Sequence, residues 1–344
     1  MRRVTTPLEA GFRMPAEWAP HAATWVAWPS HDDLWREHIA GARAAFARLV
    51  AEIARGERVE VLVPDEARER LARAALAGER VRFHRVPFGD VWLRDTAPLF
   101  VVGQGGQVAA ARFAFNGWGG KYVLEHDDAV AERVAALAGV RSFERPFVLE
   151  GGAVDVDGEG TVLTTRQCLL NRNRNGPVDE ATAERALRDG LGADRVLWLD
   201  EGLRNDHTDG HVDTIARFVR PGVVVLMEPR SGDDPNRDTL RALIAQASRL
   251  SDARGRRLEL ALVPSPGLVP GHDGRPAPAS YVNFYVANAS VIVPTYGSPW
   301  DAEAVERIGA LFAGRRVVGV DARAVLTGGG AFHCVTQQQP EALA

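Results

Sequence analysis

Ile53-Ala-Arg-Gly-Glu-Arg-Val-Glu-Val-Leu62 holds a helix end, a glycine stop, basic residues and a β-branched strand in one short run. The phrase returns as Leu76-Ala-Gly-Glu-Arg-Val-Arg-Phe83, Leu137-Ala-Gly-Val-Arg-Ser-Phe143 and Leu191-Gly-Ala-Asp-Arg-Val-Leu-Trp198. Two further copies read Ala253-Arg-Gly-Arg-Arg-Leu-Glu-Leu260 and Phe312-Ala-Gly-Arg-Arg-Val-Val-Gly319. Glycine past a helix end supplies the left-handed cap, and apolar alternation after it suits a half-buried strand.

Each of the last five copies is followed by one polar cluster, keyed by Asp95, Glu150, His211, Asn283 and Cys334. One fifth of the 344-residue chain is about 69 residues, close to the spacing of these clusters. Repetition of a helix-plus-strands unit at that period means a solenoid, propeller or closed array. The expected fold is α/β, a pentameric ring of αβ units in which one strand of each unit ends near a common axis. Five polar groups far apart in sequence then converge on one pocket. An open doubly wound sheet is the competing reading, because helix–strand alternation alone does not exclude it. No linker is visible, so residues 1–344 read as a single domain. The long Pro/Gly stretch over residues 264–278 suits a surface loop acting as a lid over the pocket mouth.

Composition narrows the partners. A net charge of −4 and a pI near 6.2 argue against nucleic acid and mildly favour small cationic ligands. Two cysteines cannot build a disulfide framework. Nothing resembles a membrane span, and Met1-Arg-Arg-Val-Thr-Thr-Pro7 lacks the apolar run of a secretory signal, so a cytoplasmic protein is expected. Lys121 is the only lysine, and is read as marking a site where arginine does not serve.

Cys334 closes the run Gly328-Gly-Gly-Ala-Phe-His-Cys334, where Gly329 and Gly330 let backbone approach a ligand. A thiol, a histidine and several carboxylates suit attack on a cationic carbon, that of a guanidinium. Carboxylates grip the planar N–H fork, which assigns Asp95 and Asp213 as clamps. A thiolate is the nucleophile, Cys334, its pKa lowered by the docked cation. His211 serves as acid and base, two residues from Asp213 and on the same face if that segment is a strand. Glu150 orients His211, Asn283 lines the fifth wall, and Trp92 and Trp118 wall the substrate.

Duller readings compete. Asp95 before Thr-Ala-Pro98 is a common turn former, Glu150 before Gly-Gly bridges a loop, and Asn283 is a satisfied buried amide. Cys168 reads as a core thiol. His207 and His211 have zinc-helix spacing, but Gly210 interrupts the segment and no Glu follows the first histidine, so no metal is expected.

The clusters together resemble the agmatine deiminase family, related to bacterial-type peptidylarginine deiminases among guanidino-group-modifying enzymes. The matching stretches include Met14-Pro-Ala-Glu-Trp-Ala-Pro20, Trp92-Leu-Arg-Asp-Thr-Ala-Pro98, Leu149-Glu-Gly-Gly152 and Cys168-Leu-Leu-Asn-Arg-Asn-Arg174. Gly210-His-Val-Asp213, Ala279-Ser-Tyr-Val-Asn-Phe-Tyr285 and Gly328-Gly-Gly-Ala-Phe-His-Cys-Val-Thr-Gln-Gln338 complete them. The resemblance implies a pseudo-fivefold α/β propeller, an amidino-cysteine intermediate, no cofactor and often a homodimer. By matching motif it places the nucleophile at Cys334, the acid/base at His211, the clamps at Asp95 and Asp213, and the supporting carboxylate at Glu150. Ala97, Ala331-Phe332 and Asn205–Gly210 depart from the commoner family pattern, and Ala331-Phe332, next to the nucleophile, bears on the pocket's shape. The implied substrate is agmatine, with arginine or peptidyl-arginine as the alternative. A binding module without catalysis would lack the nucleophile or the base, and a papain-type thiol hydrolase would have Cys before His.

Overall fold

The computed structural model describes residues 5–76, 78–271 and 273–342, so Met1–Val4 and, within the expected lid, His272 lie outside the described residues. Among these, the strands form five sheets built on one plan. An antiparallel pair comes first, and a helix then crosses over to a third strand that runs parallel. In the second sheet, Leu99–Gly103 pairs with Val108–Ala114, and helix Val130–Leu137 leads to Arg141–Val148. Phe12–Arg13 adds an edge strand there. The third sheet joins Asp155–Val156, Thr161–Thr165 and, through helix Glu180–Leu191, Arg195–Leu199. The fourth joins Ala216–Arg220, Val223–Glu228 and, through helix Arg237–Ala247, Glu259–Pro264. The fifth joins Tyr285–Val286, Ser290–Thr295 and, through helix Asp301–Leu311, Arg316–Asp321.

The first sheet is assembled from distant stretches. Thr336–Pro340 pairs antiparallel with His21–Ala27, and helix Ile39–Ile53 leads to the parallel strand Arg58–Val63. Helix Glu66–Ala75 then adds a further parallel strand, Val81–Arg85. That extra strand is why the helix–glycine–strand phrase occurs once more than there are sheets. Five separate sheets overturn the open doubly wound alternative. Parallel neighbours cannot be joined by a tight hairpin, so each third strand requires its covering helix.

Local chemistry explains the units. In helix Glu180–Leu191 the Asp179 side chain accepts from Thr182 N at the start, and Gly192 adopts φ +75° at the end. Ala183, Leu187 and Leu191 form its buried face. Gly56 departs from the expected left-handed cap: a Cβ there would lie 2.7 Å from Ala289 N, so close backbone approach is what requires glycine. Val223–Met227 is buried throughout, a continuous apolar run suited to a strand between two neighbours and covered on both faces. No helix among the described residues is long and apolar enough to cross a membrane.

Candidate active site

Every key polar residue lies just ahead of the first strand of a sheet. Asp95 precedes Leu99–Gly103, Glu150 precedes Asp155–Val156, and His211 and Asp213 precede Ala216–Arg220. Asn283 precedes Tyr285–Val286, and Cys334 precedes Thr336–Pro340. Short turns carry them: one helical turn at Leu93–Thr96, and 3-10 turns at Gly151–Ala153 and Val212–Thr214. The expectation that His211 and Asp213 share a strand face is thereby corrected. Thr214 Oγ1 donates to the His211 carbonyl at 2.9 Å and holds the segment in a turn. Both side chains are nonetheless fully buried.

The structure brings the expected residues together. Asn283 Nδ2 lies 3.1 Å from Cys334 Sγ, and the thiol points at Asp213 Oδ2, 3.6 Å away. His211 sits between carboxylates, with Nδ1 3.8 Å from Asp95 Oδ1 and Nε2 3.7 Å from Glu150 Oε2. Trp118 Nε1 donates to Asp95 Oδ2 at 2.8 Å, and Gly152 N donates to Asp95 Oδ1 at 2.9 Å. A Cβ at Gly152 would lie 2.5 Å from His211 Nδ1, 3.0 Å from Asp213 Oδ2 and 3.1 Å from Asp95 Oδ1. One glycine, itself at the start of a third sheet, therefore keeps three groups from two other sheets in contact range.

A cavity of about 420 Å³ opens onto the cluster. Asp95, Cys334, Trp92, Trp118, Gly329 and Gly330 line it. A side chain at Gly330 would strike the Trp92 ring at 2.7 Å and the Cys334 sulfur at 3.0 Å, so glycine is what lets that backbone pass. Tyr122, His207, Asp273 and Arg275 also border the cavity, the last two from the 264–278 loop. Asn205 Nδ2 ties that loop down by donating to Pro276 O at 2.8 Å.

Burial pushes the Cys334 thiol well above its ordinary range, and the Asp213 and Asp95 carboxylates push it further. Burial opposes charge on His211, yet Asp95, then Cys168 and Glu150, outweigh it and hold the imidazolium well above the usual histidine range. Burial likewise opposes charge on Asp213, but the hydrogen bond and charge of His333 bring that carboxyl below the usual range. Glu150 is lowered despite burial by His211 and Arg174. Asp95 is raised: burial and the charges of Asp213 and Glu150 outweigh His211 and the Trp118 N–H. Both His211 ring nitrogens, Glu150 Oε2 and Asp213 Oδ1 are buried and make no hydrogen bond within the chain. Buried polar atoms are ordinarily paired, so the gathering of these four in one cluster distinguishes it from a packed apolar core.

Arg174 escaped the sequence reading. Arg174 Nε donates to Glu150 Oε1 at 2.9 Å, and its guanidinium also bonds Asp209. Lys121 Nζ reaches the same Asp209 carboxylate at 2.7 Å. Cys168 is buried among apolar residues as expected, but its sulfur also belongs with Glu150 and His211 in a group whose ligand atoms lie within 4.8 Å of one another. The Arg174 cation already neutralises Glu150 there, which disfavours a divalent metal. His207 takes no part in that group and stacks instead on Tyr122, its Nδ1 3.0 Å from the Tyr122 hydroxyl.

The chain as a whole is similar to known proteins. The family profile for Porphyromonas-type peptidyl-arginine deiminase matches residues 13–340. The agmatine deiminase of Stutzerimonas stutzeri is 42% identical, with 98% of this chain and 97% of that protein covered. The structure of agmatine deiminase of Enterococcus faecalis superposes with a TM-score of 0.93 at 32% identity, covering 98% of both chains. A substrate-bound agmatine deiminase from C. jejuni gives 0.87 at 26% identity, over 97% of both chains. Likeness that runs through the whole chain, in sequence and in fold, makes this protein a member of the Porphyromonas-type peptidyl-arginine deiminase family.

Proposed function

We propose that the protein hydrolyses agmatine to N-carbamoylputrescine and ammonia, without a cofactor, through a covalent amidino-cysteine. The observation that carries this reading is the Cys334 sulfur 3.6 Å from Asp213 Oδ2, in a cavity that Asp95 and two tryptophans also line. The guanidinium lies between Asp95 and Asp213, with its flat face toward sulfur. Docking a cation there offsets the carboxylates that keep the thiol protonated, and Cys334 releases its proton to solvent. The thiolate forms a C–S bond to the guanidinium carbon, giving a neutral tetrahedral centre that needs no oxyanion hole. His211 gives its proton to the departing nitrogen, the C–N bond breaks, and ammonia leaves a cationic amidino-thioether on Cys334. Neutral His211 then takes a proton from water, and hydroxide adds to the same carbon. The C–S bond breaks, the hydroxyl proton passes to the departing Cys334 thiolate as the carbonyl forms, and the urea product departs.

Asn283 holds the sulfur, Glu150 holds His211, and Trp92, Trp118, Gly329 and Gly330 shape the channel for an aliphatic chain. The shared plan of the five sheets supports an arrangement as blades of a pseudo-fivefold propeller, with the reacting groups near the axis. One catalytic unit over residues 1–344, a homodimer and a cytoplasmic location belong to the same proposal.

Arg275 at the cavity favours a second reading, a substrate with a distal carboxylate such as arginine. Against it, Arg275 Nε already donates to Asp273 Oδ2 at 2.6 Å. Ammonia release compared across agmatine, arginine and a peptidyl-arginine tests both. We expect kcat/KM for agmatine to lead by roughly 100-fold or more. Turnover of arginine or the peptide alone discards agmatine.

Gly152→Ala is expected to lower kcat/KM by roughly 100-fold, because misplacement of about 1 Å among reacting groups has that effect. Steady-state kinetics on variant protein with a preserved melting profile checks it. Unchanged kinetics would mean that His211, Asp213 and Asp95 do not act as one set.

A further inference from the structure

A network of buried charges lies beneath the reacting groups and converges on Glu17, in the Met14–Pro20 stretch that the proposed mechanism leaves unused. His333 Nε2 is 2.7 Å from Glu17 Oε2, while His333 Nδ1 is 2.6 Å from Asp213 Oδ2. Arg217 lies 2.9 Å and Arg94 3.3 Å from the same Glu17 oxygen. Glu17 Oε1 accepts from Val286 N at 2.9 Å. Arg217 also donates to Asp155 Oδ1 at 2.9 Å and to Phe284 O at 3.0 Å. Arg94 also donates to Gln338 Oε1 at 2.7 Å and to His333 O at 3.3 Å, and its amide N donates to Cys334 O at 3.1 Å. Glu17, Arg94, Arg217 and His333 are all buried.

The placement along the chain is systematic. Arg94 adjoins Asp95, His333 adjoins Cys334, Phe284 adjoins Asn283, and Arg217 follows Asp213 one strand-start later. Three of these stretches thus bring a side chain to Glu17, through Arg94, Arg217 and His333, and the Asn283 stretch brings the Val286 amide.

We propose that Glu17 is a positioning residue which, through His333, fixes the Asp213 carboxylate against the guanidinium of the substrate. An aspartate free to rotate would hydrogen-bond the cation in only part of its orientations. With Oδ2 tied to His333, and His333 tied to Glu17, the carboxylate is held in one orientation. This rests on the clamp role given to Asp213 in the proposed function.

The test compares two isosteric reagents that alkylate Cys334, the cationic 2-chloroacetamidine and the neutral 2-chloroacetamide. Only the amidine engages the clamp, so the ratio of their inactivation rates reports the clamp apart from the nucleophile. In Glu17→Gln and His333→Gln we expect that ratio to fall roughly 10-fold and KM for agmatine to rise by a similar factor. The chloroacetamide rate should change less than about threefold, since charge-assisted contacts to the neutral reagent are absent. An unchanged ratio in a folded variant, or equal loss with both reagents, overturns the proposal. If Glu17→Gln does not fold because two guanidinium groups lose their anion, His333→Gln decides. If neither folds, the network is structural and the proposal fails. Because neither reagent is a substrate, a wild-type protein inactive on agmatine but selective for the amidine would refute the agmatine reading and leave this one standing.

Discussion

Cys334→Ser reduces ammonia release from agmatine by roughly 1,000-fold or more, the loss expected when a covalent nucleophile is removed. The size follows from the surroundings. Burial and two carboxylates resist ionisation of the thiol, and the proposed mechanism uses the docked cation to offset those carboxylates. A serine hydroxyl, far less acidic, stays protonated in the same place. Cys168→Ser serves as the control, and should keep turnover within about 10-fold of wild type, the cost of a buried hydroxyl behind the general acid. Mass measurement of the intact protein after chloroacetamidine treatment locates the label. One adduct in wild type and Cys168→Ser, and none in Cys334→Ser, is the expected pattern. Turnover surviving in Cys334→Ser and vanishing in Cys168→Ser would transfer the role to the other cysteine.

His211→Gln should reduce kcat by roughly 100- to 10,000-fold, the usual contribution of a placed acid and base. Its pH signature is the sharper test. In the proposed mechanism His211 must be protonated to expel ammonia, and Asp95 with Cys168 and Glu150 holds its pKa above the usual histidine range. Wild-type activity therefore persists through neutral pH and falls only as pH rises through that elevated value. The variant's residual activity lacks this descending limb. A limb in the ordinary histidine range, or one that survives in His211→Gln, would refute the assignment. The same shift carries a stability consequence: the stabilisation is complete below the unfolded-state pKa of histidine and is lost as pH rises through the folded one.

The repeat was legible because it is written in short-range chemistry. Gly192 ends a helix by adopting a positive φ, and the β-branched run after it has the periodicity of a strand. Cys334 and His211 were legible because reactive side chains in apolar stretches are few. Glu17, Arg94, Arg217 and His333 were not singled out, although all are in the quoted motifs or beside them. A charged side chain on a surface and one buried in a network are the same letter, and only its partners distinguish them. Arg174 escaped for the same reason, since its partners Glu150 and Asp209 lie 24 and 35 positions away. The apolar–polar alternation at Val212–Thr214 fits strand and turn alike, and the Thr214 hydroxyl decides locally for the turn.

The order of elements, the recurrence of one αβ unit and the kinds of reactive group were determined by the sequence, through backbone preferences and side-chain chemistry that act over a few residues. Which groups touch was decided only by tertiary structure. Cys334 meets Asn283 and Asp213, His211 falls between Asp95 and Glu150, and Glu17 gathers His333, Arg94 and Arg217. Contact energies at these distances change within an ångström, so no spacing along the chain can supply them.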